Sequence, residues 1–150
     1  MSCIFCNIRD NKTPSYKVYK DQHTLAFLDI NPVADGHVLL IPREHIQYIE
    51  ELPPQVSEAI MKTLIKLVPP IQRAMNATDS NIGINNGPNA GQIIPHLHIH
   101  IIPRPSKAGK LLFSSTSRLI PRKKEYFENI AERIRKEIEA TLGAQDKDRP

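Results

Sequence analysis

His96-Leu97-His98-Ile99-His100-Ile101-Ile102 sets three imidazoles in alternation with apolar residues, ahead of Pro103. Period-two alternation is strand periodicity, because successive side chains of a strand project to opposite faces. The pattern predicts a strand with His96, His98 and His100 on one face and Leu97, Ile99 and Ile101 on the other. Imidazole titrates near neutral pH, ligates metals and can act as a nucleophile. Ordinary strands rarely select histidine. Three of the chain's six histidines in one run therefore point to chemistry rather than to a solvated sheet face.

The flanking sequence supplies the rest of a sheet. Residues 3–9 predict a short helical turn. Tyr16–Lys20 and Thr24–Asp29 predict two strands joined by a tight turn at Asp21-Gln22. Asn31-Pro32 and Asp35-Gly36 break the chain before the apolar run His37–Ile41, which Pro42 closes. Residues 55–76 place Val56, Ile60, Leu64, Leu67, Val68, Ile71 and Met75 at helical spacing. Pro53 and Pro54 suit that helix's start, and Pro69-Pro70 are expected to kink or interrupt it. Asn81–Ile84 predicts a strand, residues 85–91 a turn and residues 103–121 a long loop. A second helix over Arg122–Leu142 carries Phe127, Ile130, Ile134 and Ile138 on one stripe, with Gly143 as its cap. Strands joined by short turns, with helices in segregated blocks, predict an α+β domain on an antiparallel sheet. The first three strands form a meander, and the histidine strand joins the same sheet.

The 150-residue length suits one domain, expected over residues 1–143 with a flexible charged tail over 144–150. Hydrophobic content of 40% and charged content of 24% fit an ordinary globular protein. No apolar run is long enough to span a membrane, and the N-terminus lacks the basic segment and apolar core of a secretory signal, so a cytoplasmic location away from membranes is expected. The net charge of +4 weakly favours an anionic partner. The basic residues are scattered, apart from Arg118-Leu119-Ile120-Pro121-Arg122-Lys123-Lys124, read as a solvated surface. With no aromatic-basic repeat, a nucleic-acid polymer is not the expected partner. Cys3 and Cys6 form a Cys-x-x-Cys pair, open to redox, metal-binding and incidental readings. The redox reading is weak, since no strand precedes the pair.

Several motifs now carry a resemblance. The histidine run, Cys3-Ile4-Phe5-Cys6-x-Ile8, Phe27-Leu28-Asp29-Ile30, Gly36-His37-Val38-Leu39-Leu40-Ile41-Pro42-Arg43-x-His45 and Gly91-Gln92 together resemble the Hint branch of the histidine triad (HIT) hydrolases, in the same order and spacing. The resemblance spans residues 3 to 104. It implies a HIT-like fold, a five-stranded antiparallel meander sheet with a central helix and a C-terminal helix, assembled as a homodimer.

It also implies a nucleotide-binding hydrolase acting at the α-phosphorus of a purine nucleoside phosphoramidate or nucleotide conjugate, with His98 as nucleophile and no catalytic metal. His100 and His37 would complete the catalytic group. Asp29 matches a ribose-binding acid, and Phe5, Ile8, Phe27 and Ile30 an apolar base slot. The segment Asn89-Ala90-Gly91-Gln92-Ile93 matches a phosphate-binding segment, with Asn85 a polar residue near the phosphate; glycine lets the backbone approach closely there, and amide N–H groups can hold oxyanions. Zinc-containing relatives imply one structural zinc on Cys3, Cys6, His45 and His96, so His96 would leave the catalytic group. Ile93 stands where many Hint members carry Ser or Thr, which removes a hydroxyl near the phosphate. Nucleotidyl transfer is the rival activity, although transferases of the superfamily typically replace the third histidine with glutamine. A nucleotide-binding scaffold with little turnover and a zinc or redox module are the non-catalytic readings.

Overall fold

The computed structural model describes residues 3–106 and 116–147. Five strands, β1 (Lys17–Lys20), β2 (Thr24–Leu28), β3 (Val38–Pro42), β4 (Asp79–Gly83) and β5 (Ile99–Arg104), form one antiparallel sheet in the order β1-β2-β3-β5-β4. The expected meander covers β1 to β3. A long helix, α2 (Pro54–Ala74), carries the chain from β3 to the far edge, and β5 returns between β3 and β4.

Every residue of β2 and β3 is buried, because both sheet faces are covered. On one face Val18, Ala26, Leu28, Val38, Leu40, Ile99 and Ile101 pack against Ile60, Leu64, Leu67 and Ile71 of α2. Phe127, Ile130, Ile134 and Ile138 of the C-terminal helix α3 (Lys124–Lys147) complete that core. On the other face a smaller cluster joins Leu25, Phe27, Leu39 and Ile41 to Phe5 and Ile8 of α1 (Ile4–Arg9). Residues facing each other across antiparallel strands share a face. Phe27 opposes Leu39, Leu39 opposes His100, and His100 opposes Gly83. His100 thus lies on the α1 side, and Gly83 brings no side chain beside it.

Four sequence expectations are corrected. The histidine strand begins only at Ile99, and His96 to His98 lie in the bend and extended segment before it. Of the two effects expected of Pro69 and Pro70, interruption is overturned, because α2 runs through both. An internal proline costs about 3 kcal/mol, and here buried Leu64, Leu67, Pro70, Ile71 and Ala74 hold the helix against the core. The long loop is shorter than expected: β5 runs to Arg104, and a 3-10 turn occupies Thr116–Leu119, with 107–115 outside the described residues. Gly143 does not end α3. Residues 144–147 continue the helix, and 148–150 lie outside the described residues.

Candidate functional site

The bend before β5 splits the three histidines between two clusters. His96 turns back toward the N-terminus. Its Nε2–H donates to the Pro42 carbonyl at 2.8 Å, and its Nδ1 lies 3.5 Å from Cys3 Sγ and 3.6 Å from Cys6 Sγ. His45 Nδ1 lies 3.4 Å from Cys6 Sγ, and the four donor atoms fall within 4.8 Å of one another. Burial and the adjacent Cys3 push the Cys6 thiol up. Two thiols and two imidazoles so gathered suit a tetrahedral cation with sulfur and nitrogen ligands. The Pro42 carbonyl holds the His96 proton on Nε2 and turns the Nδ1 lone pair toward the thiols, as an orienting acceptor does for a metal-bound histidine.

The second cluster contains His98, His100, His37 and Asp29. His98 Nδ1–H donates to the His96 carbonyl at 2.7 Å. That bond assigns the neutral tautomer, so His98 Nε2 keeps its lone pair. Burial holds the His98 pKa below the usual imidazole value, against the opposing pull of the His96 carbonyl and the Asp29 charge. Phe5 meets the His98 ring edge-on at 5.2 Å, and His100 lies 5.0 Å from it.

A chain of donors assigns the other two tautomers. The Val33 backbone N–H donates to His37 Nδ1 at 3.0 Å. His37 therefore carries its proton on Nε2, which lies 2.9 Å from His100 Nδ1. His100 consequently carries its proton on Nε2. Burial pushes the His100 pKa down to about 3, and burial together with His100 holds His37 well below the ordinary value. Asp29 Oδ1 accepts the Asn31 N–H at 2.8 Å, while its Oδ2 lies 3.6 Å from His37 Nε2. Burial raises the Asp29 pKa, and the Asn31 N–H and Arg118 oppose the rise. Asp29, His37 and His100 also fall within metal-ligand distance of one another. However, the Val33 N–H leaves the His37 proton on the nitrogen that would face a cation, which disfavours a metal there.

Phe5, Ile8 and Phe27 are buried in the small core, with Phe5 edge-on to Phe27 at 5.2 Å. Ile30 is exposed. Segment 85–93 turns at Gly87 and Gly91, both with positive φ, around a 3-10 turn over Pro88–Ala90. Buried Gln92 braces it: its Oε1 accepts the Gly87 N–H at 2.8 Å and its Nε2 donates to the Gln47 carbonyl at 3.1 Å. The N–H groups of Ala90, Gly91 and Gln92 bond to carbonyls inside the turn. The expected anion-binding amides are thereby narrowed to those outside these bonds, Asn89 and Ile93. Asn85 Nδ2 reaches the Gly91 carbonyl at 3.5 Å, and the Ile93 side chain is 89% exposed. Asn86 Oδ1 accepts the Ile49 N–H and the Leu97 N–H donates to the Ile46 carbonyl, so residues 46–49 tie this turn to the segment before His98.

Sequence reading missed Arg118. Its Nη1 donates to the Asn31 carbonyl at 2.8 Å and lies 3.4 Å from Asp29 Oδ2. Its ionic partner is 89 positions away, and nothing local separates it from the basic run around it.

Comparison with known proteins assigns the family. The model of the HIT domain matches residues 10–107, and the chain belongs to the histidine triad family, with homologues in its Hint branch. An adenylylsulfatase of Arabidopsis thaliana is 42% identical over 102 residues, 68% of this chain and 52% of that protein. The chain thus spans about half the length of that relative. An adenosine 5'-monophosphoramidase of Schizosaccharomyces pombe is 39% identical over 107 residues, 71% of this chain and 77% of that one. The crystal structure of a zinc-bound histidine triad family protein from Mycobacterium smegmatis superposes with a TM-score of 0.80 at 29% identity, covering 97% of this chain and 98% of that chain.

Proposed function

We propose that this chain is a nucleotide hydrolase that cleaves a P–N or P–O bond at the α-phosphorus of a purine nucleoside phosphoramidate or nucleotide conjugate. The observation that carries the reading is the His98 Nδ1–H bond to the His96 carbonyl at 2.7 Å, which leaves Nε2 as a neutral nucleophile. Relatives named as an adenosine 5'-monophosphoramidase and an adenylylsulfatase support the substrate class.

In the first step the Nε2 lone pair attacks the α-phosphorus, an N–P bond forms, and the leaving amine or oxygen departs with the pair of the broken bond and takes up a proton from solvent. His100, with its proton on Nε2, hydrogen-bonds a phosphoryl oxygen or the leaving atom. His37 holds His100 in that tautomer. In the second step water bonds to the phosphorus of the nucleotidyl-His98 and gives up a proton to solvent, the pair of the broken N–P bond returns to Nε2, and a nucleoside monophosphate and neutral His98 are released. Asp29 accepts the ribose hydroxyls. Phe5, Ile8, Phe27 and Ile30 line the base slot. The Asn89 and Ile93 amides, with Asn85 beside them, form the phosphate side, where Gly91 lets the backbone turn and Gln92 braces it.

Cys3, Cys6, His45 and His96 would hold one zinc ion, which supplies a structural cross-link between α1 and the segment before β5. We further read the chain as a single HIT domain over 1–143, homodimeric and cytoplasmic, with no membrane or nucleic-acid polymer as partner. Exposed Met61, Ile65 and Ile82 offer apolar surface for a second copy. The apolar Ile93 favours one rival, a nucleotide-binding protein with slow turnover of phosphoramidates, because no hydroxyl stands there to assist the leaving amine.

Incubation with adenosine 5'-monophosphoramidate tests the reading. AMP should be released by the unaltered protein and not by His98→Ala, with AMP binding and fold retained in the variant. Undiminished turnover in His98→Ala would remove His98 as nucleophile. AMP binding without turnover in the unaltered protein would favour the slow-turnover rival. Chasing the reaction with phosphorylated acceptors separates hydrolysis from transfer.

A further inference from the structure

We propose that Arg118 is a specificity-determining residue of this site, a cation that occupies the hydroxyl-accepting oxygen of Asp29 in the absence of substrate and transfers to the substrate phosphate when a nucleotide takes that oxygen. The proposal rests on the nucleotide reading above and adds to it the residue that selects for substrate charge.

Asp29 has one oxygen committed to the Asn31 N–H. The other, Oδ2, faces Arg118 Nη1 at 3.4 Å. A ribose diol binding Asp29 must compete for Oδ2. The guanidinium is not a loose surface group. Its Nη1 donates to the Asn31 carbonyl at 2.8 Å, and its side chain is only 28% exposed. Beyond it, Tyr126 Oη donates to Asp35 Oδ1, and Arg122 stacks over the Tyr126 ring at 5.2 Å. The segment is thus pinned at two points to the loop that carries Asp29 and His37.

The Arg118 charge also reaches the imidazoles. Asp29 Oδ2, 3.4 Å from Arg118 Nη1, lies 3.6 Å from His37 Nε2, which in turn lies 2.9 Å from His100 Nδ1, so the guanidinium borders the imidazole cluster. Together with burial it helps to hold His37 and His100 below their ordinary values. An α-phosphate within bonding reach of His98 Nε2 lies in the same field. Guanidinium presents five donors in a planar fork suited to phosphate. A ligand with hydroxyls alone must break the Arg118–Asp29 pair without replacement, whereas a nucleotide returns a phosphate to the displaced cation. Arg118 therefore penalises nucleosides and favours nucleotides.

The test is calorimetric titration of the full chain with adenosine and with AMP, for the unaltered protein, Arg118→Gln and Arg118→Lys. Arg118→Gln should weaken AMP and leave adenosine unchanged or tighter, lowering the AMP-to-adenosine affinity ratio about tenfold, the loss of one charge-assisted contact. Arg118→Lys should restore part of that ratio. A ratio within about twofold of the unaltered protein, or equal weakening of both ligands, would overturn the role of Arg118 and leave the nucleotide reading standing. If the unaltered protein binds neither compound, the nucleotide reading falls and the role of Arg118 falls with it. Thermal melts of the variants establish that each is folded when titrated.

Discussion

The proton on His98 is placed by a carbonyl two residues earlier in the chain, and the proton on His100 by the Val33 N–H acting through His37. Removing His37 takes away the donor that assigns His100 its tautomer. His37→Ala is expected to lower kcat on a phosphoramidate by about a hundredfold, the scale of a positioned proton donor. A kcat within twofold of the unaltered protein would show that this tautomer control is dispensable. The same burial makes acid destabilising. His100 is held at about 3 and His37 well below its ordinary value, so the unfolded chain binds protons that the native chain refuses. Stability is therefore full above about pH 6.5 and declines as pH falls through the window below it. Urea midpoints should fall from pH 7 to pH 4.5, and less steeply in His100→Gln. Parallel pH profiles would exclude His100 from that loss. Alternation in the sequence located His98 and His100 together but misplaced His96, because the Pro42 carbonyl that turns its ring is 54 positions away.

Among the connecting segments, the one between β2 and β3 carries Asp29 and His37 of the second cluster, together with the Asn31 and Val33 N–H groups that bond them. Its geometry depends on Gly36, at a φ of +82°, where an added Cβ would meet Met75 Cγ at 2.5 Å and Sδ at 2.9 Å. Gly36→Ala should cost about 1–3 kcal/mol by urea unfolding and lower activity by displacing His37. A change below about 0.5 kcal/mol would mean that the loop tolerates a side chain there. The helices and first three strands were legible because their apolar periodicities are local. The continuity of α2 through Pro69-Pro70 was not, since packing against distant strands decides it. The order of β4 and β5 was equally hidden, because α2 can deliver the chain to either position at the sheet edge.

At the scale of the molecule, the proposed zinc site and the proposed catalytic cluster meet through α1. Cys3 and Cys6 flank Phe5, whose ring abuts His98. Elemental analysis should find about one zinc per chain, with less than about half an equivalent in Cys6→Ser. The melting temperature of that variant should fall by roughly 5 °C or more. Full zinc content in Cys6→Ser would dissociate the cysteine pair from metal binding. Relatives in the family made the four candidate ligands legible, whereas Cys-x-x-Cys alone left three meanings open.

Cys3 and His96 lie 93 positions apart, and that separation bears on how the chain reaches its native form. Contacts across so long a stretch form only after a large loop has closed, which slows the search. The docking of α1 beneath the histidine segment is thus expected to be a late event in folding. A cation bound there would act after the barrier, lengthening the lifetime of the native state while hardly changing the rate at which it is reached.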